Sequence, residues 1–246
     1  MKHLRKQMLL AAALIALSSA IYVAQVWIFH AERDTFFYLF QDLACVPIQI
    51  LLVTVIVDQV LRIRERMALL KKLNMVIGAF FSEVGTQLLR SCISFDADAG
   101  VLAARLKITT AWGDQQFGDA VREAGAHPVR IECGRGDLES LKVLLAERRG
   151  FLLGLLENQN LLEHETFTEL LWAVFHLMEE LSSRKDVRAL THPDREHIAG
   201  DIKRVYLILV TEWLSYLKHL RLEYPYLFSL AVRMNPYDPD ATVELK

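Results

Sequence analysis

Apolar residues follow two different patterns along the chain, and the change falls near residue 62. Before it they form two nearly unbroken runs. Residues 8–29 carry no formal charge over 22 positions; at ~1.5 Å per residue, a helix of this length crosses a hydrocarbon core of ~30 Å. After the polar connector HAERDT a second run extends from about Phe36 to Leu61. The pattern predicts a transmembrane helical hairpin with spans at about 8–29 and 36–61, followed by a second domain over 62–246.

A cleaved leader is the rival for the first run, with Lys2, Arg5 and Lys6 as its basic start and Ser18-Ser19-Ala20 as its cleavage site. The apolar run continues past that site through IYVAQVWIF, which favours a retained helix.

Beyond residue 62 Gly and Pro are scarce and apolar positions recur three and four apart, the period of an amphipathic helix. The second span is expected to continue to about Phe95, with Met67, Leu70, Leu73, Ile77, Phe80, Val84 and Leu88 on one face. Gly78 and Gly85, seven residues apart, share a face suited to close helix packing. Further helices are predicted at about 98–108, 114–125, 137–157, 163–184, 193–222 and 224–234. Asp137 is the expected N-cap of the third of these, after a short extended piece at 129–133. Phe167, Leu171, Val174, Met178 and Leu181 line one face of the next. The closing NPYDPDATVELK, broken by Pro236 and Pro239, is expected as an exposed tail. The fold class is therefore all-α.

Charge orients the hairpin. Lys2, Arg5 and Lys6 precede the first span, and Arg62, Arg64, Arg66, Lys71 and Lys72 follow the second, whereas the connector has Arg33 against Glu32 and Asp34. The positive-inside rule then puts both termini in the cytoplasm, with Trp27, Phe29, Phe36, Phe37 and Tyr38 marking the outer interface. The five basic residues after the second span also suit anionic lipid, at about 1 kcal/mol per charge. In the first span Ala12, Ala16, Ala20 and Ala24 form a small-residue ridge along which another helix can approach.

The second span is not purely apolar. Asp42, Cys45 and Gln49, spaced by three and four, form one polar stripe, and Pro47 removes a helix hydrogen bond and predicts a kink. Asp42 and Asp58 are 16 residues apart, a distance that lets both sit near the membrane edges, with Asp58 placed to pair with Arg62. Gln49 is left near the midplane.

Composition closes several classes. A net charge of −2 and a pI near 6.5 supply no basic field, so nucleic acid is not an implied partner. Cys45, Cys92 and Cys133 make neither a C-x-x-C pair nor an even framework. Gly134 and Gly136 lack the spacing of a phosphate loop, and no nucleophile elbow or kinase set occurs. No catalytic residue and no cofactor are implied.

The remaining chemistry is histidine and carboxylate. His176 with Glu180, His197 with Asp201, and His219 with Glu223 are i, i+4 pairs, with His164 and His192 nearby in sequence. Helices could bring His176, Glu180, His197 and His219 to one metal ion, although neither Glu-x-x-His nor H-E-x-x-H is present. Ordinary surface pairing explains the same spacings.

LNMVIGAFFSEVG (73–85) and YPYLFSLAVRMNP (224–236), with the two-span start, resemble an uncharacterised family of bacterial two-span inner-membrane proteins. The resemblance implies an inner-membrane protein with a helical cytoplasmic domain, and carries no activity, cofactor or site residue. Three functions follow as expectations. The foremost is a membrane anchor whose helical domain binds a protein partner, signals or self-associates. The second is an oligomeric pore lined by the second span, and the third a metal-dependent helical enzyme.

Overall fold

The computed structural model describes the backbone of residues 2–29, 32–158, 161 and 164–244, and within these the side chains of all but 2–11, 14, 29, 32–36, 66, 68, 69 and 71. The roles expected of Lys2, Arg5, Lys6, Phe29, Glu32, Arg33, Asp34, Phe36, Arg66 and Lys71 lie outside the described side chains. Among the described residues the fold is all-helical, with one isolated antiparallel bridge, Asp96 to Ile131. The chain divides into two compact units, Met1–Arg66 and Met67–Lys246.

The first unit holds α1 (Lys2–Phe29) and the start of α2 (Glu32–Phe80). Helix α2 begins at Glu32, earlier than the expected Phe36, since HAERDT contains neither Gly nor Pro to stop it. Pro47 lies inside α2. Its Phe37–Glu65 portion is 29 residues long, and its most apolar 18-residue stretch has a mean hydropathy of 2.1 with none of it buried. This is the one described helix long and apolar enough to cross a membrane; the described part of α1 contributes a shorter apolar stretch, Ile15–Ile28. The two helices are joined across the unit by Tyr22, whose hydroxyl donates to Asp42 Oδ2 at 2.8 Å.

The second unit is built around α9 (His192–Glu223). On it pack α3 (Thr86–Phe95), α5 (Asp114–Ala126), α8 (Glu165–Ser183) and α10 (Pro225–Arg233), while α6 (Leu138–Glu147) and α7 (Arg149–Leu156) pack against α8. The short α4 (Ala99–Arg105) packs on α5. Twelve α9 residues are buried, from Ile198 to Leu220, so α9 meets neighbours on several sides, as an inner helix must. On α8 the expected face of Phe167, Leu171, Val174, Met178 and Leu181 is buried throughout. Each such large apolar side chain contributes about 1.5–3 kcal/mol on leaving water.

The caps explain several boundaries. Asp137 accepts from the amides of Glu139 and Ser140 at 3.0 and 3.2 Å, satisfying donors that the first turn of α6 leaves unpaired. Thr191 does the same for Asp194 at the start of α9. The expected helix over 137–157 breaks instead at Arg148, just before Gly150, a weak helix former.

The expected helix through Phe95 is interrupted by a π-turn, Phe81–Gly85. The Phe81 carbonyl receives both the amide and the hydroxyl of Thr86, the latter at 2.8 Å. Phe80 and Phe81 are consecutive and both buried; Phe80 stands edge-on to Phe81 and Phe167, and Phe81 stacks on Tyr216 at 5.0 Å. The inward stripe holds from Leu73 to Leu88, whereas Met67 and Leu70 are exposed.

The C-terminal segment departs from the expected exposed tail at its start. Asn235 and Tyr237 are buried. Asn235 Nδ2 donates to the Leu106 carbonyl at 2.8 Å, and the Tyr237 hydroxyl donates to that of Tyr206 at 3.1 Å. These bonds tie the segment after α10 to α9 and to the end of α4.

Candidate functional site

Two helices of the second unit bring imidazoles and carboxylates together. One turn of α8 presents His176 and Glu180, and one turn of α9 presents His197 and Asp201. Each pair is four residues apart and so projects from a single helix face. The buried neighbours Leu177, Leu181, Ile198 and Ile202 hold the two turns against each other. His176 Nε2 lies 3.5 Å from Asp201 Oδ2, and His197 Nε2 lies 3.4 Å from the same oxygen and 3.5 Å from Glu180 Oε2. The imidazole rings stand edge to face, 6.4 Å apart.

Arginines border the group. Arg184 donates to Glu180 Oε2 at 2.6 Å and to Asp194 Oδ1 at 3.2 Å. This guanidinium, with His197 and His176 adding to it, holds the Glu180 carboxyl below its ordinary range. Asp194 is lowered by the Thr191 hydroxyl and then by Arg184. Arg204 donates to Asp201 Oδ1 at 3.3 Å. Asp201 Oδ2 accepts no hydrogen bond, although its side chain is only 5% exposed.

His219, expected in the same group, is elsewhere. It sits 22 residues beyond His197 on α9, about 33 Å along the helix axis. Asn74 Nδ2 approaches its Nδ1 at 3.2 Å, and burial lowers its pKa. His164 caps α8, accepting from the amide of Phe167, and His192 pairs with Glu196 at the surface.

The described membrane-related candidates of the first unit and its flank are on exposed surfaces. Ala12, Ala16, Ala20 and Ala24 are exposed along α1, as are Asp42, Cys45 and Gln49 on α2. Of the stripe, Asp42 is engaged by Tyr22, and Gln49 makes no hydrogen bond among the described residues. Arg62, Arg64 and Lys72 are exposed. Neither Asp58 nor Arg62 forms an ion pair among the described residues, so their expected i, i+4 pair is not made. Gly78 would place a Cβ in ordinary contact with Tyr216, whereas Gly85 lies under the rings of Phe80 and Phe81.

Two buried polar groups carry no sequence signal. Asp96 Oδ2 meets His127 Nε2 at 3.2 Å, with side-chain exposures of 0% and 4%, while its Oδ1 accepts from the amides of Asp98 and Arg130. The pair fastens the turn after α3 to the segment after α5. The three cysteines are free. Burial pushes the Cys92 thiol up to about 12 and raises that of Cys133, so neither is primed as a thiolate nucleophile.

Comparison with known proteins follows the same division of the chain. Residues 2–61 match the family described as "MJ1433, N-terminal helical domain", and residues 69–233 the family described as "Uncharacterized protein MJ1433, C-terminal helical domain". A protein of the archaeon Methanocaldococcus jannaschii, "Uncharacterized protein MJ1433", is 42% identical over 238 residues, covering 97% of this chain and 96% of the relative. The resemblance drawn from two short stretches pointed to bacterial proteins, whereas this relative is archaeal and matches nearly end to end. No solved structure matches the chain. With both helical domains matched and the alignment almost complete, the chain belongs to the MJ1433 family.

Proposed function

We propose that this chain is a two-span membrane protein with both termini in the cytoplasm, and that a self-associating hairpin holds its helical domain at the bilayer as an interaction module. The observation that carries this reading is the 29-residue Phe37–Glu65 helix, whose most apolar 18-residue stretch has a mean hydropathy of 2.1 and no burial. Such a surface is unfavourable in water and stable in lipid, where a helix satisfies its own backbone. The apolar Ile15–Ile28 stretch of α1 supports a second crossing. The exposed Arg62, Arg64 and Lys72 support a cytoplasmic flank.

Self-association rests on Gln49 and on the alanine ridge. Gln49 makes no hydrogen bond among the described residues, and an amide near the bilayer midplane is best satisfied by another helix, at about 1 kcal/mol or less. The exposed Ala12, Ala16, Ala20 and Ala24 allow that helix to come close. A pore lined by the stripe is the weaker reading, because Asp42 already serves Tyr22.

Three measurements test the proposal. The protein should remain in membranes after alkaline carbonate extraction, and release into the soluble fraction would refute the anchor. A C-terminal reporter should be active on the cytoplasmic side and one inserted at residues 30–31 on the opposite side. In mild detergent the full chain should sediment as an oligomer that Gln49→Leu weakens by about fivefold; a wild-type monomer would refute self-association.

A further inference from the structure

We propose that His176, Glu180, His197 and Asp201 bind one divalent first-row transition ion of the zinc class. The site lies wholly within the second unit and is independent of the membrane reading.

The donor spacing is the first argument. One ligand atom from each of His176, Glu180 and His197 lies within 4.8 Å of the others. Asp201 Oδ2 adds contacts of 3.5 and 3.4 Å to the two imidazoles, and His197 lies 3.5 Å from Glu180. Tetrahedral zinc with bonds of ~2.0–2.1 Å separates neighbouring donors by about 3.3 Å. His176, Glu180 and His197 already lie within reach of one ion, and Asp201 stands against the two imidazoles as the candidate fourth ligand.

The second argument is a buried oxygen that accepts no hydrogen bond. Asp201 is 95% buried by its 5% side-chain exposure. Its Oδ1 is held by Arg204, yet its Oδ2 accepts no hydrogen bond and faces both imidazole nitrogens. Native proteins seldom leave a buried carboxylate oxygen unsatisfied, because the lost hydration is not replaced. A cation among these donors supplies the missing interaction, and Arg204 then orients the ligand from behind.

The donor types select the ion. Two imidazoles and two carboxylates, without a thiolate, suit zinc, ferrous iron, cobalt or manganese better than the all-oxygen preference of calcium and magnesium. Arg184 holds Glu180 Oε2 at 2.6 Å, so Glu180 is the ligand shared with a competing cation and the weakest of the four. His176 and His197 are 46% and 51% exposed, which leaves a route for the ion and one side of it open to water.

The test uses untagged full-length protein in detergent, stripped with a chelator and titrated separately with zinc, manganese and cobalt. One ion per chain is expected, with cobalt giving the visible absorption bands of a low-coordinate nitrogen–oxygen site. His176→Ala with His197→Ala, and separately Asp201→Asn, should weaken binding by roughly tenfold or more. His192→Ala, removing an exposed ring paired only with Glu196, should leave it unchanged. The histidine substitutions remove half-exposed rings, so circular dichroism should match wild type even if Asp201→Asn unfolds. Absence of binding for all three ions at submillimolar concentration overturns the proposal. So does binding of undiminished strength in the folded double histidine variant.

Discussion

Gly78 in α2 and Gly85 in the π-turn should respond to the same substitution with opposite sign. At Gly85 the backbone is right-handed helical, φ −60° and ψ −42°, so alanine meets no conformational obstacle there. By propensity alone Gly85→Ala would stabilise the helix by about 1 kcal/mol. Its Cβ, however, would come within 2.7 Å of both Phe80 Cε1 and Phe81 Cδ1 and 2.9 Å of Phe80 Cδ1. Neither ring can yield easily: Phe80 is wedged against Phe81 and Phe167, and Phe81 is stacked on Tyr216. Overpacking of this kind costs about 1–3 kcal/mol, and the full burial of both rings argues for its upper half. The net expectation is a loss of about 1–2 kcal/mol, or a fall of about 2–8 °C in Tm for a unit of this size. At Gly78 the added Cβ would sit 3.5 Å from Tyr216 Cε2, an ordinary contact, so Gly78→Ala should raise Tm by up to about 4 °C. Thermal unfolding of the full chain in detergent, followed by tryptophan fluorescence, reads both. If Gly85→Ala raises Tm, the two rings do not confine that position and the packing of the π-turn is misread.

Three other outcomes can be measured on the same protein. Asp96→Ala strands the buried His127 and the amides of Asp98 and Arg130, and should cost about 3–5 kcal/mol; a loss below 1 kcal/mol in urea unfolding would contradict the pairing. Tyr237→Phe removes the bond to Tyr206 and should cost about 1 kcal/mol, while an unchanged midpoint would mean that the segment after α10 contributes no hydrogen bond to stability. His219 has its pKa lowered from 6.5 by burial, so the unfolded chain takes up its proton first and stability should fall as pH drops below 6.5. His219→Gln should flatten that acid-side slope, and a slope identical to wild type would show that this histidine does not titrate differently on folding.

Elements with a local cause are legible in the sequence. The α8 face reads directly from the spacing of Phe167, Leu171, Val174, Met178 and Leu181, because helical period and burial coincide there. The start of α6 reads from Asp137, whose side chain caps amides two and three residues ahead. Features with a distant cause are not legible. At the π-turn Phe80 meets Phe167, 87 positions away. Asn235 and Tyr237 lie in a stretch with the composition of a tail, yet they bond Leu106 and Tyr206, 129 and 31 residues away. The Asp96–His127 pair spans 31 residues with no motif around it.

The α8–α9 cluster falls between these cases. Each i, i+4 pair is visible, but the meeting of His176 and Glu180 with His197 and Asp201 depends on how two helices dock. One part of the expectation is excluded without any docking. His197 and His219 belong to the same predicted helix, and 22 residues of helix separate them by about 33 Å. No ion with bonds of ~2 Å can span that distance, so the two histidines exclude each other from one site. Of the two, His219 is drawn away by Asn74 and burial. His197 instead lies beside the one buried carboxylate oxygen that accepts no hydrogen bond among the described residues. Asp201, only half of an ordinary pair when read along the sequence, thereby becomes the residue whose substitution bears most directly on whether the cluster is a set of ion pairs or a metal centre.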